Sequence, residues 1–366
     1  MNVRRTIQAL VLVGAVGLLS SCSVFSNSTT THLLYVSTGQ GIYAYRLDNK
    51  TGFASQIPSA PFYAGNTPAG MVIDASGNRA YLANQADNTI SLLDIDHSSG
   101  VLTEVMPRTA TGGFSPNQIL LDSSGTTLFV ANQLSNTVTA LSVGANGVLT
   151  APTASQIVQL SSPPANLAFA GGLLFVAAPS FSQVFVYSVS SGNLSSVVGS
   201  PFTLTDGVGS VTVDASAKYL YVTNPSIDTI SGFTILYSSS TNTVSLQPIP
   251  GSPFAPNIGT GTTPSQPMAA ILDSTAAHLY VANNGSSNVS LFSVGSNGAL
   301  TSMTTPTAPA GSNPLQMLID PNGNFLLVGN VGGKSVSVLA MKSDGTLGAA
   351  QTVSVPSVPQ AMAVTK

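Results

Sequence analysis

The chain repeats itself, and the repeat limits its possible folds more than any other feature. An apolar triplet recurs as Leu34-Tyr35-Val36, Ala80-Tyr81-Leu82, Leu128-Phe129-Val130, Leu174-Phe175-Val176, Leu220-Tyr221-Val222, Leu279-Tyr280-Val281 and Leu326-Leu327-Val328. Successive copies are 46, 48, 46, 46, 59 and 47 residues apart. Seven copies at such a period point to a closed array of identical supersecondary units, with a spacing between those of WD40 and kelch blades.

Each unit carries four strand signals. In the second, residues 69–74 alternate and end at the turn Ala75-Ser76-Gly77-Asn78. Residues 79–84 form the next strand, followed by a polar loop over 85–88, a third strand over 89–96 and a fourth over 101–106. Period-2 alternation between Gly/Asn/Asp turns is what hairpin-linked antiparallel strands require. Asn146-Gly147, Asn297-Gly298 and Asp344-Gly345 fall at the equivalent third turn, where a left-handed backbone favours those residues. No segment after residue 22 has a helical period. The expected fold is all-β, a seven-bladed β-propeller of four-stranded antiparallel blades over residues 32–366. The array opens on a second strand, residues 32–38, and ends on a first strand, residues 359–365. The C-terminal strand is therefore expected to pair beside the N-terminal one and close the ring, hiding two sheet edges.

Only 6% of the residues are charged, and the formal net charge is -3. Ten Lys and Arg spread over 366 residues cannot form the basic stripe that a phosphate backbone requires, so nucleic acid is excluded as a partner. The 43% hydrophobic content excludes a disordered chain. A single Cys allows no intrachain disulfide and no thiolate zinc site, and His32, His97 and His278 are scattered singly. No metal and no cofactor is expected.

Residues 1–22 read as an export signal. Arg4 and Arg5 precede an apolar stretch over residues 7–19, which is too short for a membrane span. Leu19-Ser20-Ser21-Cys22 resembles the lipobox of bacterial lipoproteins. That resemblance implies a signal peptide over residues 1–21, cleavage before Cys22, lipid attachment at Cys22 and a polar tether through residue 31. Ser23 in place of Asp implies the outer membrane, and loss of Arg4 and Arg5 takes the net charge from -3 to -5. The lipid anchor is the only expected membrane contact.

Tyr221-Val222-Thr223-Asn224 matches the Tyr-Val-Thr-Asn propeller repeat, and Tyr280-Val281-Ala282-Asn283 is a near copy. With the pattern over residues 289–300 (VSLFSVGSNGAL), the chain resembles the seven-bladed lactonase family related to 6-phosphogluconolactonase. The resemblance covers residues 32–366. It implies a polar set of acid, base and Arg near the loop face of the channel, marked by His beside Pro at the start of first strands. Here those segments read Thr67-Pro68-Ala69, Ser115-Pro116-Asn117, Pro163-Pro164-Ala165, Gln266-Pro267-Met268, Asn313-Pro314-Leu315 and Val358-Pro359-Gln360. The Pro is retained and the His is absent, so no catalytic residue carries over.

Blade geometry sorts the remaining polar residues. Asp74, Asp122, Asp214, Asp273 and Asp320 close first strands, where bonding to turn amides is expected. Asn84, Asn132, Asn224, Asn283 and Asn330 end second strands, and the same role is expected of them. Glu104, the only Glu, falls on a fourth strand at the outer rim and is expected to be solvated. The loop face offers Asp87, Arg108, Phe114, Gln133, Asp206, Asp228, Asn284 and Lys334 as candidate binding residues, with a long insert over residues 250–267. Arg108 and Lys334 are of the type that holds an anion, and Asp87, Asp206 or Asp228 of the type that acts as a base.

Two motifs are decoys: residues 328–335 (VGNVGGKS) displace the first Gly of a phosphate loop and lead into a strand, and Asp94-Ile95-Asp96 with Glu104 is off register for calcium. The expectation is a surface-anchored, non-catalytic module binding a polar small molecule, a glycan or a protein through a neutral, amide-rich loop face. The alternative is a lactonase-like hydrolase acting on sugar or other lactones, and a third reading is a purely structural envelope protein.

Overall fold

The repeated triplets lack the alternation of a half-exposed strand because each lies in a sheet covered on both faces. In the computed structural model, which describes residues 31–256 and 264–366, seven sheets form a ring. The expected signal peptide, Cys22 and the tether up to residue 30 lie outside the described residues, as does part of the long insert. The second sheet runs from the inner edge outward as Pro68–Ile73, Arg79–Asn84, Thr89–Ile95 and Leu102–Ala110. The same order recurs in the blades that open at Pro116, Asn166, Val211, Pro267 and Pro314. In the fourth blade the outer edge is split, with Asn193–Ser196 and Phe202–Thr203 pairing with different ends of one strand.

The apolar core is seven wedges, one between each pair of neighbouring blades. Alternate residues of one strand enter different wedges: Leu33 and Tyr35 pack with Ala80 and Leu82 of the second blade, while Leu34 and Val36 pack with Leu327 and Val338 of the seventh. The ring closes in the first blade, where Pro359–Val364 pairs antiparallel with Thr31–Thr38. Thr365 extends that seam: its N–H donates to the Leu33 carbonyl at 3.0 Å, and its Oγ1 accepts from the Leu33 N–H at 2.9 Å.

The repeat residues are latches. The phenol of Tyr35 donates to the Gly100 carbonyl at 3.1 Å, and Tyr81 reaches Gly147 at 2.9 Å. Tyr221 reaches Gly298 at 2.8 Å and Tyr280 reaches Gly345 at 2.9 Å. In each case the partner is the positive-φ glycine in the third turn of the following blade, so the turn residue and the strand residue serve one contact. Phe129 and Phe175 occupy the same position without a hydroxyl, and Phe129 instead rests on Phe169 with ring centroids 5.1 Å apart.

The terminal Asn residues of the second strands have a role beyond the expected one. Asn84, Asn132, Asn224 and Asn330 are fully buried, and their amides hydrogen bond to hydroxyls five and seven residues on; Asn330 Oδ1 also accepts a loop N–H, from Gly311 at 3.1 Å, as expected. Asn283 does the same with Asn288 and Ser290. The Asp residues behave as expected; Asp214, for example, accepts from the Lys218 N–H at 2.8 Å.

The latches predict an alkaline limit. Burial pushes the Tyr81 and Tyr280 phenols up to about 12, and those of Tyr35 and Tyr221 higher. An unfolded chain releases these protons near pH 10. The neutral form is thus favoured by folding: stability is intact below about pH 10 and falls as pH rises toward the folded values, by up to about 1.4 kcal/mol per pH unit for each phenol. Urea midpoints between pH 9 and pH 11.5 measure the slope. Tyr280→Phe is expected to flatten it and to cost about 1 kcal/mol at neutral pH, because the Gly345 carbonyl loses its donor.

Candidate functional site

The two ends of the ring differ in chemistry. First-to-second and third-to-fourth turns share one face, as shown by the 3.2 Å contact between His97 Nε2 and Asn78 Oδ1. Second-to-third loops and the connections between blades share the other, the loop face. There the Gln85 N–H donates to the Thr67 carbonyl and the Gln133 N–H to the Ser115 carbonyl, both at 2.9 Å.

Strain marks this face. Thr67, Ser115, Gln266 and Asn313 adopt φ between +47° and +58°, and each stands immediately before the Pro that opens an inner strand. A Pro disfavours helical conformations in the residue before it, and a left-handed non-glycine residue costs roughly 1–3 kcal/mol. The conformation is held by neighbouring loops. Asn88 Oδ1 takes the Ser115 N–H at 2.7 Å, and Asp228 Oδ1 takes the Gln266 N–H at 2.7 Å.

A cavity of about 440 Å³ opens between the second and third blades on this face. Thr67, Gln85, Asn88 and Ser115 supply its polar wall; Phe114 and Leu134 supply its apolar one. Phe114 and Leu134 are 63% and 78% exposed, and the Leu134 N–H donates to the Phe114 carbonyl at 3.1 Å. Tyr63, Phe181 and Ile227 are further exposed apolar side chains on loops of this face. Of these five apolar residues only Phe114 is anticipated from the sequence. The signal for the others is a large apolar side chain inside a polar loop, out of step with the strand alternation.

The candidate residues are spread around the ring, with one exception. Arg108 and Asp87 meet at 3.3 Å, and Arg108 also forms a two-pronged pair with Glu104, Nε to Oε1 at 2.7 Å and Nη2 to Oε2 at 3.1 Å. Glu104 is therefore not the solvated rim residue expected from its strand. Its side chain is 17% exposed and also accepts from Ser91 Oγ. The Arg108 guanidinium first, then the Ser91 hydroxyl, hold its carboxyl below the usual range despite the opposing effect of burial. Asp87 is likewise held low, chiefly by the backbone N–H and side-chain amide of Asn66. All of these groups lie outside the cavity lining, toward the outer strand.

The remaining candidates mostly brace the loops. Asp206 accepts from Ser231 Oγ at 3.0 Å. Asp228 also accepts from Ser265 Oγ, and Asn284 bridges to the Pro314 carbonyl and to Asn313. Gln133 is exposed beside the cavity, and Lys334, at φ +44°, is exposed on the seventh blade. Among the described residues no group of three or more His, Cys, Asp or Glu is placed to hold a metal.

Four-stranded blades and ring closure define a closed seven-bladed propeller. The family described as Lactonase, 7-bladed beta-propeller matches residues 51–164 and 165–365, and the chain belongs to that family. Among solved structures it is similar to a putative 6-phosphogluconolactonase from Bacteroides fragilis, with 19% identity and a TM-score of 0.75 over 93% of this chain and 99% of that one. It is also similar to a periplasmic gluconolactonase from Pseudomonas aeruginosa, with 20% identity and a TM-score of 0.75 over 92% and 99% of the two chains. A weaker likeness, 14% identity and a TM-score of 0.55 over 82% and 91%, extends to the hydrazine synthase of Kuenenia stuttgartiensis. At these identities the likeness is one of fold, and one fold hosts many chemistries. None of the curated proteins compared matches the chain.

Proposed function

We propose that this lactonase-family propeller is an envelope-anchored binding module that takes its ligand on the loop face. The supporting observation is the division of labour on that face. Its cavity is lined by amides, hydroxyls and two exposed apolar side chains, while Arg108, Glu104 and Asp87 are bound to one another outside it. A hydrolase needs a base within reach of water and donors for a developing oxyanion. Here Asp87, Asp206 and Asp228 already accept hydrogen bonds that brace loops.

An anchor at Cys22 suits this display. Thr31 opens a strand that starts on the turn face, and the eight residues between it and Cys22 reach at most about 29 Å. The turn face would then lie toward the membrane and the loop face away from it.

Lactone hydrolysis is the second reading, favoured by family membership and by the gluconolactonase relative. A hydrolysis screen of the purified protein against sugar lactones and simple γ- and δ-lactones decides between them. The binding-module reading expects rates equal to spontaneous hydrolysis. Turnover above that rate, lost in Arg108→Ala or Asp87→Asn protein that remains folded, would overturn it.

A further inference from the structure

Three features of the cavity between the second and third blades bear on what it takes. The first is charge: none of its lining residues is ionisable, and Arg108, on the outer strand of the second blade, is engaged by two carboxylates. A phosphate or carboxylate ligand would enter without a counter-charge. The second is the pairing of wall types. Phe114 and Leu134 stand exposed opposite Thr67, Asn88 and the side-chain amide of Gln85, which has no hydrogen-bond partner among the described residues. The third is size and shape: about 440 Å³, open to solvent, and continued around the face by exposed Tyr63 on one side and Phe181 and Ile227 on the other.

From these features we infer that the cavity between the second and third blades is a binding site for a neutral saccharide chain. A pyranose ring has an apolar C–H face and a rim of hydroxyls. The C–H face stacks on an aromatic ring, and the hydroxyls donate to and accept from amides and hydroxyls, so one sugar uses both walls at once. The volume lies in the range of ordinary small-ligand pockets, enough for one or two sugar units. The apolar residues farther around the face offer later units of a chain the same kind of stacking surface. Phe114 is the anchor, because an aromatic at a rigid loop position gives a large contact area at little entropic cost. Gln85 is the residue that fixes orientation.

This inference rests on the binding-module reading but fails separately from it. Lactone turnover would remove that reading, whereas an absence of saccharide binding without turnover would remove only this one. The test is calorimetric titration of the purified protein with neutral linear hexasaccharides of glucose, mannose, galactose and N-acetylglucosamine, and with glucose 6-phosphate. At least one neutral chain is expected to bind with an affinity that is insensitive to ionic strength. Phe114→Ala should weaken it about tenfold or more and Gln85→Ala several-fold. Phe53→Ala, an equally exposed aromatic on the opposite face, should leave it unchanged. Because Phe114 is exposed, its truncation should not alter thermal unfolding, which separates lost contact from lost fold. The inference is overturned if no neutral chain binds or if Phe114→Ala binds as well as the parent. It is also overturned if glucose 6-phosphate binds more tightly in a salt-dependent way, or if a protein partner occupies Phe114 and Leu134 while no saccharide competes.

Discussion

Deletion of residues 359–366 should abolish cooperative folding. Those residues supply the inner strand of the first blade, and their loss leaves Thr31–Thr38 with an open edge where Leu34 to Thr38 had been paired. Met362 leaves the wedge shared with the seventh blade, and Ala361 and Ala363 leave the wedge shared with the second. The Leu33 backbone loses both of its bonds to Thr365. Five buried residues (Pro359, Ala361, Met362, Ala363 and Thr365), a full strand pairing and closure of the ring go together. The combined loss is on the order of 5 kcal/mol or more, comparable to the whole stability of an ordinary domain. Urea unfolding should become broad and shallow, and the exposed strand edge should drive aggregation. A sharp transition with an unchanged midpoint would show that six blades and a remnant are sufficient.

Replacement of Arg108 by Ala should be the most damaging single change on the loop side of the ring. It leaves Glu104 and Asp87, with side chains only 17% and 23% exposed, facing each other without their shared cation. Breaking a well-buried pair costs about 3–5 kcal/mol; at this partial exposure about 1–3 kcal/mol is expected. The sign of the pH dependence identifies the cause. Glu104 titrates below its ordinary value in the folded protein, so its contribution is complete above about pH 4.3 and is lost as pH falls through the lower, folded value. The parent should therefore lose stability on acidification below about pH 5, and Arg108→Ala should lose less over the same window. Parallel acid profiles for the two proteins would show that the pair contributes nothing.

The architecture was legible because it is written seven times. A fully apolar triplet, polar turns and a closing first strand recur every 46–48 residues with one longer step of 59, and each repeat supports the others. The wedges follow directly, since a strand without alternation must be covered on both faces. The site was less legible because it depends on departures from the repeat. Arg108 sits within an irregularity in the outer strand, where the register slips between the partners of Ile90 and Leu92, and Glu104 lies just before it. No spacing rule shows that Arg108 folds back there to meet Glu104. Leu134 and Phe181 sit in polar loops where a large apolar residue looks incidental, and only the exposed surface shows that they share a face with Phe114. Asn84 and its counterparts were placed correctly on their strands, but their hydroxyl partners lie across a loop, on the next strand.

The tyrosine latches are unevenly distributed, so the ring has a weak joint. The blades joined through Tyr35, Tyr81, Tyr221 and Tyr280 are stitched by a buried hydrogen bond, and Tyr45 adds one from the first blade to Ser354 of the seventh. In the wedges on either side of the fourth blade Phe129 and Phe175 leave apolar contact in place of a buried latch, and the side-chain hydrogen bonds that cross there, such as Leu167 N–H to Gln118 Oε1 and Val211 N–H to Asn166 Oδ1, are only partly buried. Pulled or heated, a closed hoop parts where its fastening is lightest. Transient opening, with first entry of solvent, protease or a hydrogen-exchange label, is accordingly expected to begin beside the fourth blade, well away from the seam where the two chain ends meet.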